Sequence, residues 1–212
     1  MTLTIRHATP EDAQFLGWVC VAAPRSHLRT GWFETVLRRD EAFCLKFAAR
    51  LTIAKPRSWW HYSLFLIAEV DGQPAAALCG FGDESVYMAS SDAMAEAADA
   101  MGIPKEEQAQ FWPRGAYVIS PATSEHGAWT IENVATKPEF RGRGIVGRLL
   151  EGELNEARAA GFKRAQVSFF MGNDAAEHAY AKAGFSFAEE KTAPDFEAVT
   201  GVPGIKRFAR DV

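Results

Sequence analysis

Cysteine is scarce in this 212-residue chain: Cys20, Cys44 and Cys79 are odd in number, far apart and without metal-ligand spacing. That excludes a disulfide framework and a cysteine metal site, and leaves reduced core thiols as the expectation. The five histidines, His7, His27, His61, His126 and His178, are equally dispersed. They form no metal-ligand pattern, so no metal is expected. A large charge of one sign is also missing. The formal net charge is −4, which argues against a nucleic-acid-binding protein, whose usual footprint is a basic face. No apolar run approaches membrane-spanning length, and residues 1–10 lack the apolar segment of a signal peptide. The expectation is therefore a cytoplasmic protein with no membrane partner. Internal repeats, linkers and low-complexity tracts are absent. No Gly-Lys-Ser/Thr ends a phosphate loop, and no acid placed for a ribose follows a Gly-x-Gly-x-x-Gly turn, which weakens a nucleotide-binding reading.

What is present is an ordinary core-forming composition, 48% hydrophobic and 24% charged, for which one α+β domain with a mixed sheet is the economical reading. Residues 3–7 alternate as a first strand. Thr9-Pro10-Glu11-Asp12 then starts a helix, with proline at its first position and acids in its first turn. A second helical region spans 30–54, broken near Asp40. Residues 62–70 and 74–81 are apolar runs joined by Asp71-Gly72, a two-residue hairpin signal. Residues 91–101 read as a helix and Pro104 opens another, so 24–61 and 83–115 stand as helical insertions. A short strand is predicted over 117–119. Strands follow at 129–136 and 164–170, residues 185–187 open another, and 205–209 form the last. Helices begin near Gly144 and at Asn173.

The segment between the strand at 129–136 and the helix after it carries the chemistry. Arg141-Gly142-Arg143-Gly144 is a basic, glycine-rich turn feeding a helix N-terminus. Its stripe of Val146, Leu149, Leu150, Leu154 and Ala157 keeps helical spacing. Unpaired N–H groups of a first helical turn and the helix dipole favour an anion there. Glycine lets the backbone approach closely, and arginine adds charge-assisted bonds to phosphate oxygens. The alternative is a plain tight turn before a surface helix. The arrangement predicts a pyrophosphate cradle.

Strand, Arg-x-x-Gly turn, long helix, strand and Asn-capped helix with an internal tyrosine, then Ala-Gly-Phe, together resemble the GCN5-related N-acetyltransferases. Their signature is Arg/Gln-x-x-Gly-x-Gly/Ala. Arg141-Gly142-Arg143-Gly144-Ile145-Val146 fits its first four places and departs at the last, where Val146 replaces a small residue and Gly147 follows one step late. Asn173-Asp174-Ala175-Ala176 with Tyr180-Ala181-Lys182-Ala183-Gly184-Phe185 looks like the family's second cofactor segment. The resemblance covers roughly residues 129–190.

The resemblance implies an α+β fold with a mostly antiparallel sheet, a splayed strand at the ligand site and acetyl-CoA as cosubstrate. It implies that backbone N–H groups of Arg141, Gly142, Arg143, Gly144, Ile145, Val146 and Gly147 take the pyrophosphate. Val134, Ala135 and Thr136 would pair with the pantetheine arm as an added strand, and Asn173 and Ala176 would complete the cofactor site. Tyr180 stands where the family places its general acid; packing against Ala176 and Ala183 is its plainer reading. Glu132 is the best-placed carboxylate to take the proton of an incoming amine. Strand alternation puts it on one face with Val134, and a solvated surface glutamate is the competing reading. Glu125 and His126 form the runner-up pair. Trp59-Trp60-His61 either walls an acceptor pocket or enters the core, and Cys79 reads as an inert thiol. The implied activity is acetyl transfer to a primary amine on a small molecule or peptide, by direct attack in a ternary complex. A non-catalytic acyl-CoA sensor is the alternative, and dimerisation is common in the family.

Overall fold

The computed structural model describes residues 2–212. Leu3–His7 (β1), a strand as its alternation predicts, pairs antiparallel with Phe65–Val70 (β2). From β2 the chain turns through Asp71 and Gly72, both at positive φ, into Gln73–Phe81 (β3). That is the turn chemistry the Asp-Gly pair predicts. Trp129–Thr136 (β4) lies antiparallel to β3 and parallel to Arg164–Phe170 (β5). Gly204–Asp211 (β7) then pairs with β5 and with the edge strand Ser186–Thr192 (β6). The seven-stranded open sheet runs β1-β2-β3-β4-β5-β7-β6, and β4–β5 is its one parallel pair.

Helices cover both faces. On one lie Ala13–Arg25 (α1), Trp32–Leu37 (α2) and Glu41–Leu51 (α3). The break predicted near Asp40 is real: its carboxylate caps α3 by accepting from the Phe43 N–H. Helices α1 and α3 cross where Gly17 touches α3. A Cβ there would stand 2.7 Å from the Ala49 nitrogen, so no larger residue fits. Beyond β3 come Ser85–Met88 (α4), Ser90–Ala100 (α5), Lys105–Gln108 (α6) and Phe111–Gly115 (α7). Phe33, Phe47, Phe65 and Met94 fill this side of the core.

The other face is covered by Ile145–Ala159 (α8) and Asp174–Lys182 (α9). Leu149, Leu150 and Leu154 of α8 are fully buried against the sheet. Each is worth roughly 1.5–3 kcal/mol of transfer free energy.

Three expectations need correction. The strand predicted over 117–119 is a 3-10 turn, Ala116–Val118, which turns Tyr117 into the core near Phe196. A short apolar run does not separate strand from helical turn by periodicity alone. Residues 62–64 form another 3-10 turn before β2, capped by the His61 ring, which accepts from the Ser63 N–H. Finally, the seven-residue helix Pro194–Thr200 (α10) occupies a stretch to which no element was assigned, and it buries Phe196 completely.

Candidate functional site

Strand β4 changes character halfway along. Trp129, Thr130 and Ile131 pair with Ala165, Gln166 and Val167 of β5, and there the pairing ends. From Glu132 to Thr136 the edge of β4 that faces β5 has no strand beside it. Its other edge stays bonded to β3, through Ala76↔Thr136 and the Lys137 N–H to Ala75 carbonyl bond of 2.9 Å. A strand edge left open in the middle of a sheet is a template for an extended ligand. The side-chain hydroxyl of Thr136, at the end of this edge, is buried without a hydrogen-bond partner. A buried orphan acceptor and donor of this kind costs free energy until something binds it.

The divergence coincides with a bulge. Asn133 has a φ of +53°, and Cys79 faces Glu132 while Ala77 faces Ala135, so two β4 residues stand opposite one of β3. Asparagine tolerates the left-handed region better than most residues. The bulge overturns the shared face expected for Glu132 and Val134. Val134 packs with Ile131 on the α8 side, whereas Glu132, opposite Cys79, lies on the α1–α3 side. The Asn133 side-chain amide is itself buried and donates to the Cys79 sulfur at 3.5 Å.

At the end of β4 the chain passes through Arg141–Gly144 into α8. Gly142 and Gly144 both sit at φ +74° with open space where a side chain would be. No side chain caps the helix, so the N–H groups of its first turn face outward. The two guanidiniums brace the loop: Arg141 Nε donates to the Thr136 carbonyl at 3.2 Å, and Arg143 donates to the Glu139 carbonyl at 3.0 Å. Ile145 is buried, so that only its main chain faces the cradle, while Val146 is half-buried and Gly147 exposed. An open glycine turn, an uncapped helix, a free strand edge and an orphan hydroxyl fit a diphosphate joined to an amide-bearing arm.

Asn173 caps α9 by accepting from the Ala176 N–H at 3.1 Å, and its amide donates to the Ser26 hydroxyl at 2.7 Å. Both ends of this side chain thus have protein partners, and so does the Ala176 nitrogen. Tyr180 is buried with its ring 5.5 Å from that of Phe169. Burial, and then the charge of Glu132, push its phenol above the ordinary tyrosine range. The hydroxyl makes no protein hydrogen bond among the described residues.

Glu132 is half-buried and makes no ion pair or hydrogen bond among the described residues. Burial alone raises its carboxyl to about 7. Enough protein surrounds it to withhold solvation, yet a path to solvent remains. The surface-glutamate reading does not describe this environment.

The runner-up pair lies elsewhere. Glu125 is held by Arg164 at 3.1 Å and Arg207 at 3.3 Å, and His126 stands 3.3 Å from Glu84 on the surface. The aromatic triplet divides. Trp60 is core, while Trp59 is half-buried against Tyr87. Tyr87 belongs to a segment in which no motif is legible. The three cysteines are free and buried, and burial raises all three thiols, Cys44 to about 12. A concavity of about 440 Å³ lies at the opposite end of β4, between Gly80, Trp129 and Glu153. It is not part of the cradle.

The acetyltransferase (GNAT) family model matches residues 32–185. An N-acetyltransferase from Staphylococcus aureus Mu50 is similar at a TM-score of 0.70 and 18% identity, covering 98% of this chain and 100% of that one. A putative acetyltransferase from Salmonella typhimurium, solved with its cofactor acetyl-CoA, aligns at 0.55 and 15% identity over 100% and 94% of the two chains. A Drosophila melanogaster polyamine N-acetyltransferase aligns at 0.55 and 14% identity over the whole of both. These likenesses are of fold. No curated protein matches the chain.

Proposed function

The chain belongs to the GNAT acetyltransferase family, and from that premise we propose that it moves the acetyl group of acetyl-CoA to a primary amine by direct attack in a ternary complex. The class of enzyme, an acyltransferase with acetyl-CoA as cosubstrate, follows from the family. The direct route and the residues that serve it are our reading. The observation that carries it is the end of β4–β5 pairing at Ile131 and Val167, beside a half-buried carboxyl with no partner among the described residues and a buried phenol.

When bound, acetyl-CoA supplies an acyl group activated as a thioester. The residues of this chain do the rest. The Arg141 N–H, expected in the cradle, is instead taken by the Pro138 carbonyl at 3.2 Å; open N–H groups from Gly142 to Gly147 receive the diphosphate, and the free edge of Val134, Ala135 and Thr136 receives the amide arm. A main-chain N–H at Val134 or Ala135 polarises the thioester carbonyl. Such donors are typically worth about 2.7–4 kcal/mol of barrier.

The acceptor arrives as an ammonium, since an alkylamine has a pKa of about 10.4. Glu132, raised to about 7, takes its proton at the carboxylate and frees the nitrogen lone pair. Tyr180 keeps its proton throughout the neutral range and delivers it to the departing sulfur; the acylated nitrogen then sheds its second proton, which restores the Tyr180 phenol. Cys79 takes no part, because a thiol lifted by burial yields no thiolate to carry an acyl group.

The test is a steady-state assay of thiol release with acetyl-CoA and an amine panel. Initial-rate patterns that intersect support direct attack. Parallel lines, with an acetylated protein seen by mass spectrometry, would replace it by a ping-pong route.

A further inference from the structure

Glu132 does not stand alone on the α1–α3 face of β4. Tyr87, carried by α4, is 42% exposed. Its ring lies 5.6 Å from Trp59 and meets Phe81 edge-on at 5.2 Å. Phe81 ends β3 on the face that also carries Cys79, the direct neighbour of Glu132. The phenol of Tyr87 is raised by burial and next by the charge of Glu132, so the two groups lie within electrostatic reach. Three aromatic rings from three separate segments thus converge beside one acid.

No base among the described residues pairs with that acid. Arg57 is engaged with the Ser63 hydroxyl at 3.0 Å, and its charge acts on Asp83 and His61 rather than on Glu132. A second acid, Glu84, adds negative charge beside Tyr87. A half-buried carboxylate without a cation, faced by aromatic rings, is complementary to an ammonium on an apolar stem. It is anti-complementary to a second carboxylate. A free α-amino acid holds its carboxylate two bonds from the reacting nitrogen, so docking that nitrogen at Glu132 would press like charges together.

Building on the proposed function, we propose that Trp59, Phe81, Tyr87 and Glu132 form the acceptor subsite, and that its substrates are alkyl- or arylalkylamines with no carboxylate beside the reacting nitrogen. Tyr87 and Trp59 set specificity by packing the stem, and Glu132 receives the ammonium.

The test compares 2-phenylethylamine with phenylalanine, which share the stem and differ by the carboxylate. Coenzyme A binding is measured separately by calorimetry. The expected kcat/KM ratio favours 2-phenylethylamine by at least about tenfold, the scale of one mismatched pocket contact. Tyr87→Ala should raise KM for that amine by about tenfold, with little change in kcat or in coenzyme A affinity. Tyr87→Phe should restore it, because the ring and not the hydroxyl makes the contact. Equal or better use of phenylalanine, or an unchanged KM in Tyr87→Ala, overturns the subsite. So does coenzyme A binding with neither amine acetylated, which leaves the proposed function standing. Absence of coenzyme A binding defeats both.

Discussion

Two glutamates flank opposite ends of β4, and burial raises both carboxyls, Glu132 to about 7 and Glu153 to about 8. Their surroundings differ. Glu153, on α8, lies under Gly80 and accepts from the Trp129 indole at 3.0 Å, where β4 is paired on both edges. Glu132 has no protein partner among the described residues and sits where β4 has left β5. A perturbed carboxyl therefore marks a catalytic candidate only where the backbone around it is also open. The closed end of β4 holds the sheet together, and the open end leaves a strand edge unpaired.

The largest effect that would break this comparison is loss of the open-end acid. Glu132→Gln should lower kcat/KM by about 10²–10⁴-fold, the usual contribution of a general base, and leave coenzyme A affinity nearly unchanged. In the native enzyme kcat/KM should rise with pH and level off above about 7, the value at which Glu132 ionises. The variant should lack that limb. A variant with native activity and the same pH profile would remove Glu132 from the mechanism.

Tyr180→Phe comes next. Coenzyme A thiol, with a pKa of about 8.5, is already a fair leaving group, so the loss should lie near the lower end of acid catalysis, about 10²-fold in kcat. Equal, small losses in kcat and in cofactor affinity would make Tyr180 a packing residue against Phe169.

A smaller effect is expected at the cradle. Gly144 opens α8 at φ +74° with nothing near its absent side chain. Gly144→Val therefore acts through backbone strain alone. That costs about 1–2 kcal/mol and should weaken coenzyme A binding by about tenfold, read by calorimetry. Unchanged binding would mean that the diphosphate does not use this turn.

The closed end gives the smallest effect on turnover. Glu153→Gln should leave kcat/KM as it is and change only the pH dependence of stability. With the folded carboxyl raised above its ordinary value, its stability contribution is complete below about 4.5 and is lost as pH rises through about 8. Thermal melts should show the native protein losing a few degrees of Tm between pH 6 and 9 relative to Glu153→Gln. Parallel melting curves would show that Glu153 is not held protonated by its burial.

Much of this was legible in advance, for identifiable reasons. The bounds of β4 and β5 are the predicted ones, because apolar runs ended by Lys137-Pro138 and Met171-Gly172 leave little freedom. The glycine turn, the uncapped α8 and the Asn173 cap are local chemistry, and local chemistry is written in adjacent residues. The bulge at Asn133 was not legible. Alternation assigns faces on the assumption of a regular strand, and one left-handed residue shifts everything after it. The only hint was an asparagine, a poor strand former, in the middle of β4. Tyr87 was equally hidden. Its partners Trp59 and Glu132 are distant in sequence, and only the folded sheet brings them to Tyr87 and its near neighbour Phe81.

The most direct test of the account is a crystal structure of the protein soaked with acetyl-CoA. The expected result is the diphosphate on the main-chain nitrogens between Gly142 and Gly147, the amide arm alongside Val134–Thr136, and the thioester facing Glu132. An unfilled gap between β4 and β5, or a diphosphate bound anywhere else, would contradict it.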